Sequence, residues 1–116
     1  MMKKLLCVGT AMMAALASGQ IWASGQAGVE RGQAVFQEWC VSCHGIGPGH
    51  PGTQALDLRY QGALPGALEQ RTDLSPEIVR AFVRNGISVM PFFRKVEISD
   101  AELDALGSYL SRNNPR

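Results

Sequence analysis

Five consecutive residues, Cys40-Val41-Ser42-Cys43-His44, constrain this chain more than any other feature. A C-x-x-C-H run spaces two thiols to add across the two vinyl groups of a haem and follows them with an imidazole that faces the iron. Two other chemistries use a cysteine pair in this spacing: a redox dithiol or disulfide in an oxidising compartment, and a pair of zinc ligands. A zinc site wants a second pair of ligands, and beyond His44 only His50 is available. A thioredoxin-like site wants a preceding strand and a βαβ context, and no segment shows strand alternation. Covalent haem attachment is the leading reading, with the dithiol and metal readings still open.

The N-terminus says where that chemistry is expected. Lys3 and Lys4 precede an apolar stretch from Leu5 to Ala17, and small residues follow up to Ile21-Trp22-Ala23, the layout of a secretory signal peptide. The stretch has 13 residues, against roughly 20 for a membrane-spanning helix. Cleavage after Ala23 is expected, with export to the periplasm and no stable membrane anchor. Cys7 stands at the start of the apolar stretch and leaves with the signal. Residues 24–116 then form one small domain of 93 residues, too short for a second core, and a haem would supply much of its interior. That domain has nine basic and ten acidic residues, a net charge of −1, and its cations are scattered, so no nucleic-acid partner is expected.

The remainder reads as helices joined by glycine-rich loops. Val29, Gly32, Val35, Phe36 and Trp39 recur at helical spacing, so a first helix over about Val29 to Cys40 runs into the cysteine motif. Ser75-Pro76-Glu77 is a helix start, Ile78, Val79, Phe82 and Val83 form its apolar stripe, and Asn85-Gly86 ends it. Ser99-Asp100-Ala101-Glu102 matches a capping box, opening a last helix whose apolar face is Leu103, Leu106, Gly107 and Leu110, with Tyr109 alongside. Shorter helices are expected near Thr53 to Tyr60 and Pro65 to Gln70.

Met90 is the second informative residue. The other four methionines fall in the signal segment, so Met90 is the only thioether of the mature chain. It lies just past a helix end and is followed by Pro91, whose stiff backbone can hold it against a haem, and its soft sulfur suits haem iron. The bland alternative is a gap-filling core methionine. His50, six positions after His44, is too near the proximal residue to reach the opposite haem face and reads as a surface histidine. Arg59, Tyr60 and Arg71 are candidates to bond the haem propionates.

With these parts in this order, the chain resembles a class I c-type cytochrome over essentially the whole of residues 24–116. The resemblance implies an all-α fold of three to five helices around one covalently attached haem c, with thioethers at Cys40 and Cys43 and iron held by His44 and Met90. It implies that the first and last helices cross, Gly32 and Phe36 meeting Tyr109 and Leu110. It further implies a proline carbonyl that orients His44, for which Pro51 is favoured over Pro48. Two filled axial positions leave no site for oxygen or peroxide, so the expected role is an electron carrier, not an enzyme, working between redox partner proteins. A haem-based gas sensor would need Met90 off the iron. A peroxidase would need polar acid/base residues at an open distal site, and the loop from Ile87 to Phe93 offers only Ser88. Phe92-Phe93-Arg94-Lys95 is a candidate docking rim. A narrower resemblance, carried by His50-Pro51-Gly52-Thr53, Leu68 to Leu74 and Met90 to Lys95, is to the small cytochrome subunits of 4-cresol methylhydroxylase-type flavocytochromes. It would make the donor a periplasmic flavoprotein dehydrogenase that oxidises an alkylphenol.

Overall fold

The computed structural model describes residues 17–116, with side chains from Ser24 onward. The expected signal segment, residues 1–23, therefore lies outside the described residues except for helical backbone from Ala17. Five α-helices follow in order: α1 (Ala17–Trp39), α2 (Val41–His44), α3 (Pro51–Tyr60), α4 (Pro76–Asn85) and α5 (Asp100–Leu110), with a 3-10 turn at Leu68–Gln70 between α3 and α4. The all-α expectation holds among the described residues, where the only β-type pairing is an isolated bridge between Ile87 and Met90. No helix among them is long and apolar enough to cross a membrane.

The fold is organised by the crossing of α1 and α5. A Cβ built on Gly32 would lie 2.0 Å from the Ala105 carbonyl oxygen and 2.7 Å from Tyr109 Cβ, so the two backbones meet where only glycine fits. One turn on, the Phe36 ring packs against Tyr109 with centroids 5.9 Å apart. Phe36, Ile98, Leu103 and Leu106 are fully buried around this crossing. α5 is well begun: Ser99 Oγ accepts the Glu102 N–H at 3.3 Å, and Glu102 Oε2 accepts the Ser99 N–H at 2.9 Å, the reciprocal pair that its sequence signature predicts.

α4 packs on the other side of α5, where Gly107 faces Pro76 and an added Cβ would come within 3.0 Å of it. Ser75 Oγ caps α4 by accepting the Ile78 N–H at 3.2 Å, and Gly86, with φ of +67°, ends it. The expected four-residue stripe of α4 is only half right. Val79 and Val83 are buried, but Ile78 and Phe82 remain 42% and 44% exposed. Successive residues turn by about 100° around a helix, so one neighbouring helix covers the 79/83 edge and leaves the 78/82 edge partly exposed.

Two further expectations shift. α1 starts before Val29, since nothing in the stretch from Ala17 onward is a proline that would break it. The helix expected near Pro65 to Gln70 shrinks to its last three residues. That segment is held from the C-terminus: Tyr109 donates to the Glu69 carboxylate, Arg112 stacks 3.9 Å from the Tyr109 ring centroid, and Asn113 and Asn114 donate to the Glu69 and Leu74 carbonyls at 2.9 and 2.7 Å. Burial and the neighbouring carboxylate push the Tyr109 hydroxyl up to about 12, so it stays a hydrogen-bond donor at any physiological pH.

Replacing Gly32 by alanine should force α1 and α5 apart. The expected cost is roughly 2 kcal/mol or more, and thermal unfolding should show a drop in Tm on the order of 10 °C. An unchanged Tm would contradict the crossing.

Candidate functional site

The cysteine motif occupies the junction between α1 and α2, and it is fixed by neighbours because one helical turn has no stability of its own. Cys40 N–H bonds the Phe36 carbonyl at 2.9 Å, continuing α1, while His44 N–H and Gly45 N–H bond the carbonyls of Cys40 and Val41 at 2.8 Å each. α3 then braces this turn. Thr53 Oγ1 donates to the Gly45 carbonyl at 2.8 Å in a buried bond, and His50 Nδ1 donates to the Ser42 carbonyl at 3.2 Å. His50 is therefore a half-buried strut under the motif and not the free surface residue expected from the sequence.

Cys40 is half-buried and Cys43 exposed, and no disulfide joins them. Burial, aided by the nearby Cys43, pushes the Cys40 thiol up to about 12. A redox dithiol needs its first thiol depressed towards neutrality, so this environment disfavours the thioredoxin-like reading. No group of three or more His, Cys, Asp or Glu side chains comes together to hold a metal ion among the described residues.

The His44 ring lies over Gly52, where an added Cβ would come within 2.7 Å of the ring's Cε1 and of the Cys43 carbonyl. Burial lowers the pKa of His44 from its ordinary value and favours the neutral imidazole, the form that ligates metals. Its Nδ1 is buried and has no hydrogen-bond partner. The Pro51 carbonyl, expected to receive that proton, does not do so in this structure, and neither does that of Pro48. Pro51 is the first residue of α3, so its carbonyl points along that helix toward the next turn.

Met90 is half-buried at the end of a tight turn. Ile87 and Met90 exchange both backbone bonds, at 3.1 and 2.9 Å, around Ser88 with φ of +53°. Gly86 makes the turn possible, since a Cβ there would sit 2.7 Å from the Met90 carbonyl oxygen. Beyond Pro91, the Phe93 ring meets Trp39 edge-on with centroids 5.8 Å apart. Trp39 precedes Cys40, so this contact ties the methionine loop to the cysteine motif.

The expected docking rim divides. Phe93 turns inward to Trp39 while Phe92 stays 62% exposed. Arg94 pairs with Glu97 at 3.3 Å and Lys95 with Asp100 at 2.8 Å, so neither cation is unpaired. Arg71, a propionate candidate, is buried, holds both carboxylate oxygens of Asp73 at 2.6 Å and stacks 4.8 Å from the Tyr60 ring centroid. Gly52 and Thr53 carried part of the narrower resemblance, but no sequence signal assigned them a role in bracing the motif. Reading Pro51 as a first helical residue, as at Pro76, would have placed both in the first turn of a helix.

The donor set suits a haem: two thiols on one turn, a neutral imidazole beside them and a thioether on a fixed loop. The surface suits it as well. Ile87, Val89 and Phe92, which flank Met90, and Ile78 and Phe82 on α4 are all more than a third exposed. Exposed apolar side chains beside Met90 and along α4 offer surface that an apolar macrocycle would cover. Among protein families, the model described as cytochrome c oxidase, cbb3-type, subunit III matches residues 27–110. No curated protein and no solved structure matches the chain.

Gly52→Ala should push the His44 ring out of place. Overpacking of this kind costs about 1–3 kcal/mol. The haem-bearing fraction, read as haem absorbance per mole of chain, should fall relative to Gln54→Ala, an exposed control on the same helix. Equal fractions and equal spectra would refute the packing.

Proposed function

The chain belongs to the family of cytochrome c domains described as cytochrome c oxidase, cbb3-type, subunit III, so it binds a c-type haem covalently and transfers electrons, and from that premise we propose that it is an exported carrier with His44 and Met90 as its two axial ligands. The haem supplies a one-electron ferric/ferrous couple. The protein supplies the rest. Cys40 and Cys43 hold the group by thioethers, and His44 donates from a neutral ring. The Met90 sulfur, soft and polarizable, favours the reduced metal and so a comparatively high potential. With both axial positions taken by protein, oxygen and peroxide find no open site, which separates a carrier from a sensor or a peroxidase.

The observation that carries this reading is the anchoring of Met90. It is the only methionine among the described residues, its backbone is locked by the Ile87 turn, and Phe93 fastens its loop to the residue before Cys40. A signal segment at residues 1–23 with cleavage after Ala23 would deliver the carrier to the periplasm, where it takes electrons from a dehydrogenase and passes them to a downstream acceptor. A flavoprotein of the alkylphenol-oxidising type is one such donor. Isolation of a complex that carries both flavin and haem absorbance would support that donor, and a chain that purifies alone from cells making the flavoprotein would count against it.

The ligand set is tested by absorption spectra of the oxidised and reduced protein with and without carbon monoxide. The wild type should show the weak far-red sulfur-to-iron band when oxidised and ignore carbon monoxide when reduced. Met90→Ala should lose the band, bind carbon monoxide, and fall in potential by at least about 60 mV, a tenfold shift in a one-electron equilibrium. A wild type that binds carbon monoxide at once would instead favour sensing.

A further inference from the structure

We propose that Arg84 is the positioning residue for the axial methionine: its guanidinium staples the loop that carries Met90 to the end of α4 and the start of α5. The inference rests on the reading of Met90 as a ligand and adds to it a residue that never touches iron.

Arg84 stands one residue before the last of α4, and its side chain is only 19% exposed. It reaches across the whole non-helical excursion that follows. Nη1 donates to the Phe93 carbonyl at 2.9 Å, and Nη2 donates to the Ile98 carbonyl and to Asp100 Oδ1, each at 2.9 Å. The adjacent Val83 carbonyl accepts the Phe93 N–H at 2.8 Å. Phe93 is thus gripped at both its backbone polar groups, three residues beyond Met90. On the other side, the Gly86 turn and the Ile87–Met90 bridge fix the loop's departure from α4. The methionine side chain extends from a segment held at both ends, and Arg84 makes the far hold.

Chemistry requires arginine for this task. A planar guanidinium presents several donors in a fixed fork and can serve two carbonyls and a carboxylate together, whereas an ammonium is a compact point charge on a flexible stem. The carboxylate is the least particular of the three partners. Asp100 is shared with Lys95 Nζ at 2.8 Å and Arg80 Nη1 at 3.7 Å, so its charge is compensated without Arg84. No other side chain is seen to donate to the Phe93 or Ile98 carbonyl among the described residues. Loss of Arg84 would leave those two carbonyls without their donor, and buried or half-buried acceptors then favour any loop conformation that finds water. That conformation carries Met90 with it.

The test uses the full-length haem-loaded protein in five forms: wild type, Arg84→Gln, Arg84→Lys, Asp100→Asn and Met90→Ala. The readouts are the far-red band of the oxidised protein and the rate of carbon monoxide binding to the reduced protein, with helical circular dichroism as a control for folding. Arg84→Gln should lose most of the band and bind carbon monoxide at least tenfold faster than wild type while keeping its helicity. Arg84→Lys should fall between, because one ammonium cannot span both carbonyls. Asp100→Asn should match wild type. Wild-type band and carbon monoxide behaviour in Arg84→Gln would overturn the proposal, as would such behaviour in Arg84→Lys should Arg84→Gln yield no haem protein. A Met90→Ala variant that keeps the band would overturn the ligand reading itself, a failure distinct from that of Arg84.

Discussion

The close approach of α1 and α5 at Gly32 is the contact on which everything else hangs. Because no side chain separates the helix backbones there, the carbonyl of Ala105 and the Cβ of Tyr109 come into direct register with α1. That register sets Phe36 against Tyr109, and Phe36 is one turn from Cys40. The far end of α5 then carries Tyr109 and Arg112 to Glu69, which pins the loop between α3 and α4. A single glycine thus fixes where the cysteine motif emerges and where the covering loops can go.

The site itself is assembled from elements too short to be stable alone. α2 is one turn, and the Met90 turn is a bridge of two residues. Each is held by long-range partners: Thr53 and His50 for the first, Phe93 with Trp39 for the second. Their positions are inherited from α1 and α3 on one side and α4 on the other. The protein leaves a share of its apolar surface unmatched along Ile78, Phe82, Ile87, Val89 and Phe92. Surface of this kind suits a domain whose haem supplies part of its interior.

Local signals were read well from the sequence wherever the physics was local. The Ser75 and Ser99 caps, the Gly86 stop and the apolar face of α5 depend on residues within one or two turns of each other, and each was found where its pattern put it. The misreadings are of a different kind. Ile78 and Phe82 belong to the same apolar run as Val79 and Val83, and nothing within the run says that the neighbouring helix covers only one edge. Pro51 looked suited to orient His44, but its place at the start of α3 turns its carbonyl away. His50 looked like surface because its partner, the Ser42 carbonyl, is eight residues back and invisible to any pattern.

The sequence by itself determined the chemistry of this protein: two thiols and an imidazole in one pentapeptide, a lone thioether in residues 24–116, and helices bounded by their own caps. Those are properties of residue type and short spacing, and they hold whatever the rest of the chain does. Tertiary structure alone decided which of these groups are buried, which are braced and by what. Burial sets the Cys40 thiol and the His44 imidazole against their charged forms, and the grip of Arg84 on Phe93 and Ile98 joins residues 9 and 14 positions apart. Such effects depend on the distance between groups in space and on the water excluded between them, quantities that exist only once the chain has folded.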